Sequence, residues 1–296
     1  MKAYLEKAGC EEKLSSVILS LSEAVKKIAD AVRTADTGKA GTVNVYGEEQ
    51  LAMDVLADKI LVDILGENKN VGVVASEEMD GEKKLSGGEY AVCFDPLDGS
   101  SLFDVNLTVG TIIGIYRSQT FLGVKGGNQV AAMVAVYGPR TTVFLTVGNG
   151  VSQFTLRNNE FVMTHGDMKI SEDGKMFAPG NLRACGERAD YLKLVNYWCT
   201  GGYTLRYSGG MVPDITQILV KGGGIFTYPG YEKVPDGKLR LLYECAPMAM
   251  LMTQAGGMAT DGRIPILEKV VESLEQRTPI FAGSKNEVEE AMKFLS

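Results

Sequence analysis

The stretch Cys93-Phe94-Asp95-Pro96-Leu97-Asp98-Gly99-Ser100-Ser101 sets two carboxylates three residues apart on a turn punctuated by Pro and Gly. The apolar run Tyr90 to Phe94 reads as the strand that delivers them. Carboxylates this close raise one another's pKa unless a cation sits between them. The Leu97 carbonyl falls between the pair, and the amides of Gly99, Ser100 and Ser101 follow at once. Hard oxygen ligands beside a run of backbone N–H groups suit a magnesium ion holding a phosphate. On these residues alone, an ordinary Asp/Gly turn closing a loop has equal standing.

Other acidic signals recur where elements end or on a polar helix face. Asp54 lies in a helical stretch, Glu77 and Glu78 follow the buried-strand pattern Val71-Gly72-Val73-Val74-Ala75, and Glu244 follows the strand-like Leu239 to Tyr243. Taken singly, each reads as a solvated charge. As a buried cluster they are tolerable only around cations. Two divalent ions there would polarise a phosphoryl oxygen, acidify a bound water and stabilise a leaving oxygen. His165 is the sole histidine and sits in the polar turn Thr164-His165-Gly166-Asp167, which reads as a surface loop. A His-rich metal site is therefore excluded, and Ser-His-Asp or Cys-His chemistry would rest on that one residue. If the chain is an enzyme, carboxylates and metals must do most of the work.

The elements that would position these groups change character along the chain. Residues 11–33 carry Leu14, Val17, Ile18, Leu21, Val25, Ile28 and Val32 at helical spacing. A polar loop, Asp36 to Gly47, and a second helix, Glu49 to Leu65, follow. From residue 71 to 163 short β-like runs separated by Gly/Asn turns predict an antiparallel sheet backed by the first two helices. His, Gly, Asp and Pro cluster over 164–182, which predicts a boundary between an N-terminal domain, 1–170, and a C-terminal domain, 171–296. Helices and strands alternate in that second part, an α/β pattern.

Composition bounds the partners. Over 296 residues, 45% are apolar and 23% charged, the net charge is −7, and no Lys/Arg-rich block appears. Nucleic acid and anionic membrane are thus not expected as partners, and no apolar run approaches a membrane span. Five cysteines without CxxC spacing fit reduced, mostly buried thiols. The start has neither a signal-peptide core nor a transit-peptide composition. The cytoplasm is the expected compartment, with a plastid or glycosome as the alternative for a trimmed chain.

Asp95-Pro96-Leu97-Asp98-Gly99-Ser100 resembles the signature of the lithium-sensitive, metal-dependent phosphomonoesterases, which include inositol monophosphatases and fructose-1,6-bisphosphatases. Lys238 to Glu244, Ala255-Gly256-Gly257-Met258-Ala259-Thr260 and Gly110-Thr111-Ile112 resemble motifs of the sugar-bisphosphatase branch, so the likeness runs nearly end to end. Asp104 to Gly110, Tyr137 to Thr142, Phe177 to Ala184, Tyr203 to Asp214 and Gly283 to Glu287 look more like sedoheptulose-1,7-bisphosphatases than fructose-1,6-bisphosphatases. The resemblance implies a layered α-β-α-β-α sandwich of the α+β or α/β class, with a largely antiparallel N-terminal sheet. It also implies that the N-terminal domain, 1–170, is metal-binding and the C-terminal domain, 171–296, substrate-binding. It implies hydrolysis of the 1-phosphate of sedoheptulose 1,7-bisphosphate, with fructose 1,6-bisphosphate or dual specificity as the alternative. A catalytically silent phosphosugar-binding protein is the rival from another class.

Residue roles follow from the same resemblance. Glu77, Glu78, Asp95, the Leu97 carbonyl, Asp98 and Glu244 would bind two or three Mg2+, with Mn2+ or Zn2+ as substitutes. Asp54 with Glu78 would orient and deprotonate the attacking water. Ser100 and Ser101 would hold the scissile phosphate, and Arg206, Tyr207, Tyr228 and Lys238, joined by Arg183, the distal one. The residue at Arg206 can reach across a subunit interface in the family, which implies a homo-oligomer, dimer or tetramer. Departures also matter. Glu48 stands where the fructose enzyme has Asp. The fructose enzyme's AMP site has a Gly/Thr-rich N-terminal segment and a Lys just before the strand Tyr. This chain has Gly9-Cys10-Glu11-Glu12 and Glu89 there, so AMP inhibition is not expected. Cys10 is alone near the N-terminus, so the plant redox switch is not expected either.

Overall fold

The computed structural model describes residues 1–34, 39–43, 49–85 and 87–295. Helix α1 (Lys2–Lys7) precedes α2 (Glu12–Thr34), which buries Leu14, Val17, Ile18, Leu21, Val25 and Ile28 along one stripe. Strands β1 (Lys39–Val43) and β2 (Glu49–Leu51) pair antiparallel and lead into α3 (Ala52–Glu67). Part of the expected polar loop is thus a strand, and the helix expected from Glu49 begins at Ala52. Pairing across this hairpin claims the backbone groups that the helix would otherwise have used.

An eight-stranded sheet follows, built from β3 (Val71–Ser76), β4 (Lys83–Lys84), β5 (Tyr90–Asp98), β6 (Val109–Tyr116), β7 (Gln129–Tyr137), β8 (Thr141–Thr146), β9 (Val151–Arg157) and β10 (Glu160–Met168). A one-turn helix, α4 (Ser100–Phe103), lies between β5 and β6. The strand order is β10-β9-β8-β7-β6-β5-β3-β4. From β5 to β10 it is the expected antiparallel meander, but β3 runs parallel to β5. That pairing brings the C-terminal ends of β3 and β5, and the acidic residues on them, to one end of the sheet. His165 is not in a turn. It lies in β10 opposite Gln153 and is exposed on the edge strand.

The remaining chain contributes β11 (Met176–Pro179), α5 (Ala189–Thr200), β12 (Thr204–Leu205), α6 (Met211–Lys221), β13 (Ile225–Tyr228), α7 (Ala246–Gln254), β14 (Met258–Thr260), β15 (Ile280–Gly283) and α8 (Lys285–Leu295). The strands form a second, mixed sheet ordered β12-β11-β13-β15-β14. The Leu239–Tyr243 run is not a strand. Leu241–Cys245 forms a π-helical turn that runs straight into α7, and every residue of it is buried. An apolar run enclosed on all sides shows no periodicity to separate strand from helix.

Strand alternation distributes the core into layers. In the first sheet Val71, Val74, Tyr90, Val92 and Phe94 pack with α2 and α3, while Val73, Ala75, Ala91 and Cys93 pack with α6 and α7. In the second sheet Ala178, Phe226 and Ala282 face that same middle layer, and Phe177, Ile225 and Phe281 pack with α5 and α8. The result is helix, sheet, helix, sheet, helix.

Candidate active site

Pro96 interrupts β5 where a ladder N–H is needed, and the strand answers with a bulge. Asp95 pairs with Ile112 and Asp98 with Gly110, so β5 advances three residues while β6 advances two. In a regular strand residues three apart face opposite sides; the extra residue lets Asp95 and Asp98 face the same cleft. The Thr111 hydroxyl donates to the Pro96 carbonyl at 2.9 Å and ties the bulge to β6. The Asp95 Oδ1 accepts the Leu97 N–H at 2.9 Å.

Helix α6 fixes Asp98 from the other side. The Asp98 Oδ2 accepts the Val212 N–H at 2.7 Å, so the carboxylate sits on the helix N-terminus, where the dipole favours it. This approach requires Gly110, because a Cβ there would lie 2.4 Å from both Val212 Cγ1 and the Ala135 carbonyl. Glu244 comes from the π-helical turn before α7, and its carboxylate accepts the Arg240 N–H. One oxygen each from Asp95, Asp98 and Glu244 lies within 4.8 Å of the other two.

Asp54, Asp95, Asp98 and Glu244 are each only 5–7% exposed. Burial first, then the charges of Glu77, Asp98 and Glu244, hold the Asp95 carboxyl well above the usual carboxylate range. Glu244 is raised in the same way, by burial and then Glu77. Asp98 is pushed up to about 6 by burial, against the pull of the Val212 and Met211 amides. Burial and their mutual repulsion make joint ionisation of these groups costly. An oxygen-only donor set with this unmet negative charge fits a hard divalent cation.

Asp54 stands in the first turn of α3 and Glu78 just beyond β3, and both line the cleft with Glu77. The Ser76 hydroxyl, hydrogen-bonded to Asp58, accepts the Glu78 N–H at 3.2 Å and fixes that turn. The cleft holds about 360 Å³ and is also lined by Leu97, Ser100, Ser101, Tyr207, Tyr228 and Lys238. Tyr228 can enter because residue 180 is glycine, since a Cβ at Gly180 would lie 2.5 Å from its ring.

Two expected residues do not line the cleft. Arg206 is exposed beyond β12, its Nη1 donating to the Leu205 carbonyl, and Arg183 is exposed in the 3-10 turn Leu182–Gly186. The positive charge of Arg183 nevertheless reaches Tyr228. Glu48 lies outside the described residues. Sequence reading missed Arg240, a guanidinium 1% exposed that pairs with Glu77 at 3.8 Å and lines the cleft. Its position between Leu239 and Leu241 was the available signal, because a cation inside an apolar run must be buried and paired.

Residues 1–166 match the family profile for the fructose-1-6-bisphosphatase N-terminal domain and residues 170–296 that for its C-terminal domain. The chain belongs to the fructose-1,6-bisphosphatase family. It is therefore a phosphoric monoester hydrolase of the sugar-bisphosphatase kind. Within the family it is 46% identical to a class 1 fructose-1,6-bisphosphatase of Geobacter sulfurreducens over all of this chain and 95% of that one. It is 44% identical to a chloroplastic sedoheptulose-1,7-bisphosphatase of Triticum aestivum over 97% of this chain and 74% of that one. The crystal structure of Leishmania major fructose-1,6-bisphosphatase in holo form superposes with a TM-score of 0.94 at 34% identity, covering 100% and 98% of the two chains. Family membership implies metal dependence and a phosphosugar substrate. No helix among the described residues is long and apolar enough to cross a membrane.

Proposed function

We propose that this enzyme is a magnesium-dependent 1-phosphatase of sedoheptulose 1,7-bisphosphate, with fructose 1,6-bisphosphate as the second substrate. The observation that carries the chemistry is the cluster of Asp95, Asp98 and Glu244, buried within 4.8 Å of one another at the floor of one cleft. Those three, with Glu77, Glu78 and the Leu97 carbonyl, would hold the metal. When bound, the metal supplies Lewis-acid polarisation of the phosphoryl oxygens and acidification of a water.

The chain's own groups do the rest. Asp54 and Glu78 hold the attacking water in line with the 1-phosphorus and take its proton. Ser100 and Ser101 donate hydroxyl and amide hydrogens to the scissile phosphate. Tyr207, Tyr228 and Lys238 receive the distal phosphate at the far end of the cleft, where fixed donors and a cation suit a dianion. Burial of the floor excludes bulk water and strengthens each of these contacts.

Sugar choice belongs to the rim. Arg183, Arg206 and Lys238 are exposed and Tyr207 is 44% exposed, so the distal end is open enough for a sugar one carbon longer than fructose. The naming of several 46%-identical relatives as fructose-1,6-bisphosphatases supports the second substrate. A homo-oligomer belongs to the same proposal, supported by Arg206 lying exposed and outside the lining of its own cleft, and so does a cytoplasmic setting. Side-by-side kcat/KM for the two bisphosphates in Mg2+ tests the ordering. A higher value for the seven-carbon substrate is expected; equality, or a fructose preference, overturns it.

A further inference from the structure

Asp214 is 1% exposed on the first turns of α6, yet it is not among the residues that line the cleft. Its two carboxylate oxygens accept the Ser208 N–H at 2.9 and 3.2 Å. The Ser208 hydroxyl and the Gly209 amide also donate to it. Every one of these donors belongs to two consecutive residues of one loop, and no salt bridge to Asp214 is formed among the described residues, so the buried carboxylate is held by that loop. That loop carries Arg206 and Tyr207 on one side and turns into the cleft wall at Gly209 and Gly210 on the other. Gly209 adopts a φ of 105°, so the loop has no stiff backbone of its own to hold this turn.

The same helix start is pinned to the metal-binding end. The Asp98 carboxylate takes the Val212 amide, two residues before Asp214, and the close approach at Gly110 keeps α6 from sliding. Tyr207 lies within the field of both carboxylates.

We infer that Asp214 is a positioning residue, which holds the 206–210 loop so that Tyr207 grips the distal phosphate and ties that loop, through the first turn of α6, to Asp98. The inference rests on the proposed sugar-bisphosphatase site. Asp214 touches neither substrate nor metal; it acts through Ser208 and Gly209. Its loss should therefore weaken the hold on a distal phosphate while leaving attack at the 1-phosphate largely intact. A group that only stabilised the fold would lower turnover of every substrate together.

The test compares wild type and Asp214→Asn on fructose 1,6-bisphosphate and on fructose 1-phosphate, which lacks the distal group, in saturating Mg2+. The expected result is a KM for the bisphosphate raised about tenfold with kcat within about threefold, and an unchanged kcat/KM for the monophosphate. Equal losses on both substrates, or no change on either, overturn the inference. If Asp214→Asn does not fold, Asp214→Glu, which keeps the charge but displaces both acceptor oxygens by a methylene, decides in its place. A KM increase confined to the bisphosphate supports the positioning role, and an unchanged KM overturns it. Wild type in the same assay separates the two readings. Absence of turnover there refutes the proposed function itself, whereas normal wild-type turnover with an unsplit variant refutes only the role of Asp214.

Discussion

At the scale of single residues, the site is a problem in charge that its own chain does not solve. Asp95, Asp98 and Glu244 are buried within reach of one another, and each is held above the ordinary carboxylate range chiefly by burial. Without a cation, burial makes these groups hold their protons to higher pH than ordinary carboxylates do, and a divalent ion competes with those protons. The sign follows directly. As pH rises through Asp98's value of about 6, fewer protons compete there, so Mg2+ affinity rises. Calorimetric titration between pH 5 and 8 in buffers of different ionisation enthalpy should show proton release that shrinks as pH increases; pH-independent affinity would contradict the metal assignment. Glu78→Gln keeps size and hydrogen-bonding reach but removes a base, so turnover should fall by about 100-fold or more while the thermal midpoint hardly moves. The paired spacing of Asp95 and Asp98 was legible from sequence, although the expected turn is a bulge within β5 at Pro96. Arg240 was not, since its role depends on which distant carboxylate it meets.

At the scale of elements, three local irregularities aim these side chains. The bulge around Pro96 turns Asp95 and Asp98 to one side, the π-helical turn presents Glu244, and the N-terminus of α6 holds Asp98. Irregular ladders and π turns of this kind concentrate at functional sites. Helices with clear stripes, α2 and α8 among them, could be read from periodicity. Strands β12 and β14, two and three residues long, could not, because their pairing is set by distant partners. Nor could the parallel pairing of β3 with β5, which decides that Glu77-Glu78 and Asp95 to Asp98 meet. Gly110 gives this scale its test. Gly110→Ala forces a Cβ into Val212 and the Ala135 carbonyl, so it should cost about 1–3 kcal/mol by urea unfolding and weaken Mg2+ binding as α6 retreats from Asp98. Wild-type stability and metal affinity in that variant would mean that the contact between α6 and β6 does not hold the carboxylate.

At the scale of the whole molecule, five layers place the ends of β3 and β5, the starts of α3, α4 and α6 and the entry to α7 at the same edge, which is why residues from 54 to 244 share a cleft. The opposite use of charge appears near the N-terminus. Arg117 is engaged by Glu11, by Glu89 at 3.8 Å and by the Tyr90 hydroxyl at 2.9 Å, and Lys13 pairs with Glu89 at 2.8 Å. With two carboxylates already on its cations, this region offers a nucleotide phosphate repulsion rather than a seat. Micromolar AMP should therefore leave the rate of phosphate release unchanged, and strong inhibition would show that these pairs open. The layered architecture and the acidic set could both be read from motif resemblance, whereas the sugar could not, because the distal end of the cleft is exposed and the motifs do not fix its side chains. The most direct test of the account is phosphate release from a sugar bisphosphate by wild type and Asp98→Asn, with Mg2+ and with EDTA. Turnover by wild type in Mg2+ alone, abolished by EDTA and by the substitution, is the expected result; turnover that survives either one would contradict a metal site built on Asp95, Asp98 and Glu244.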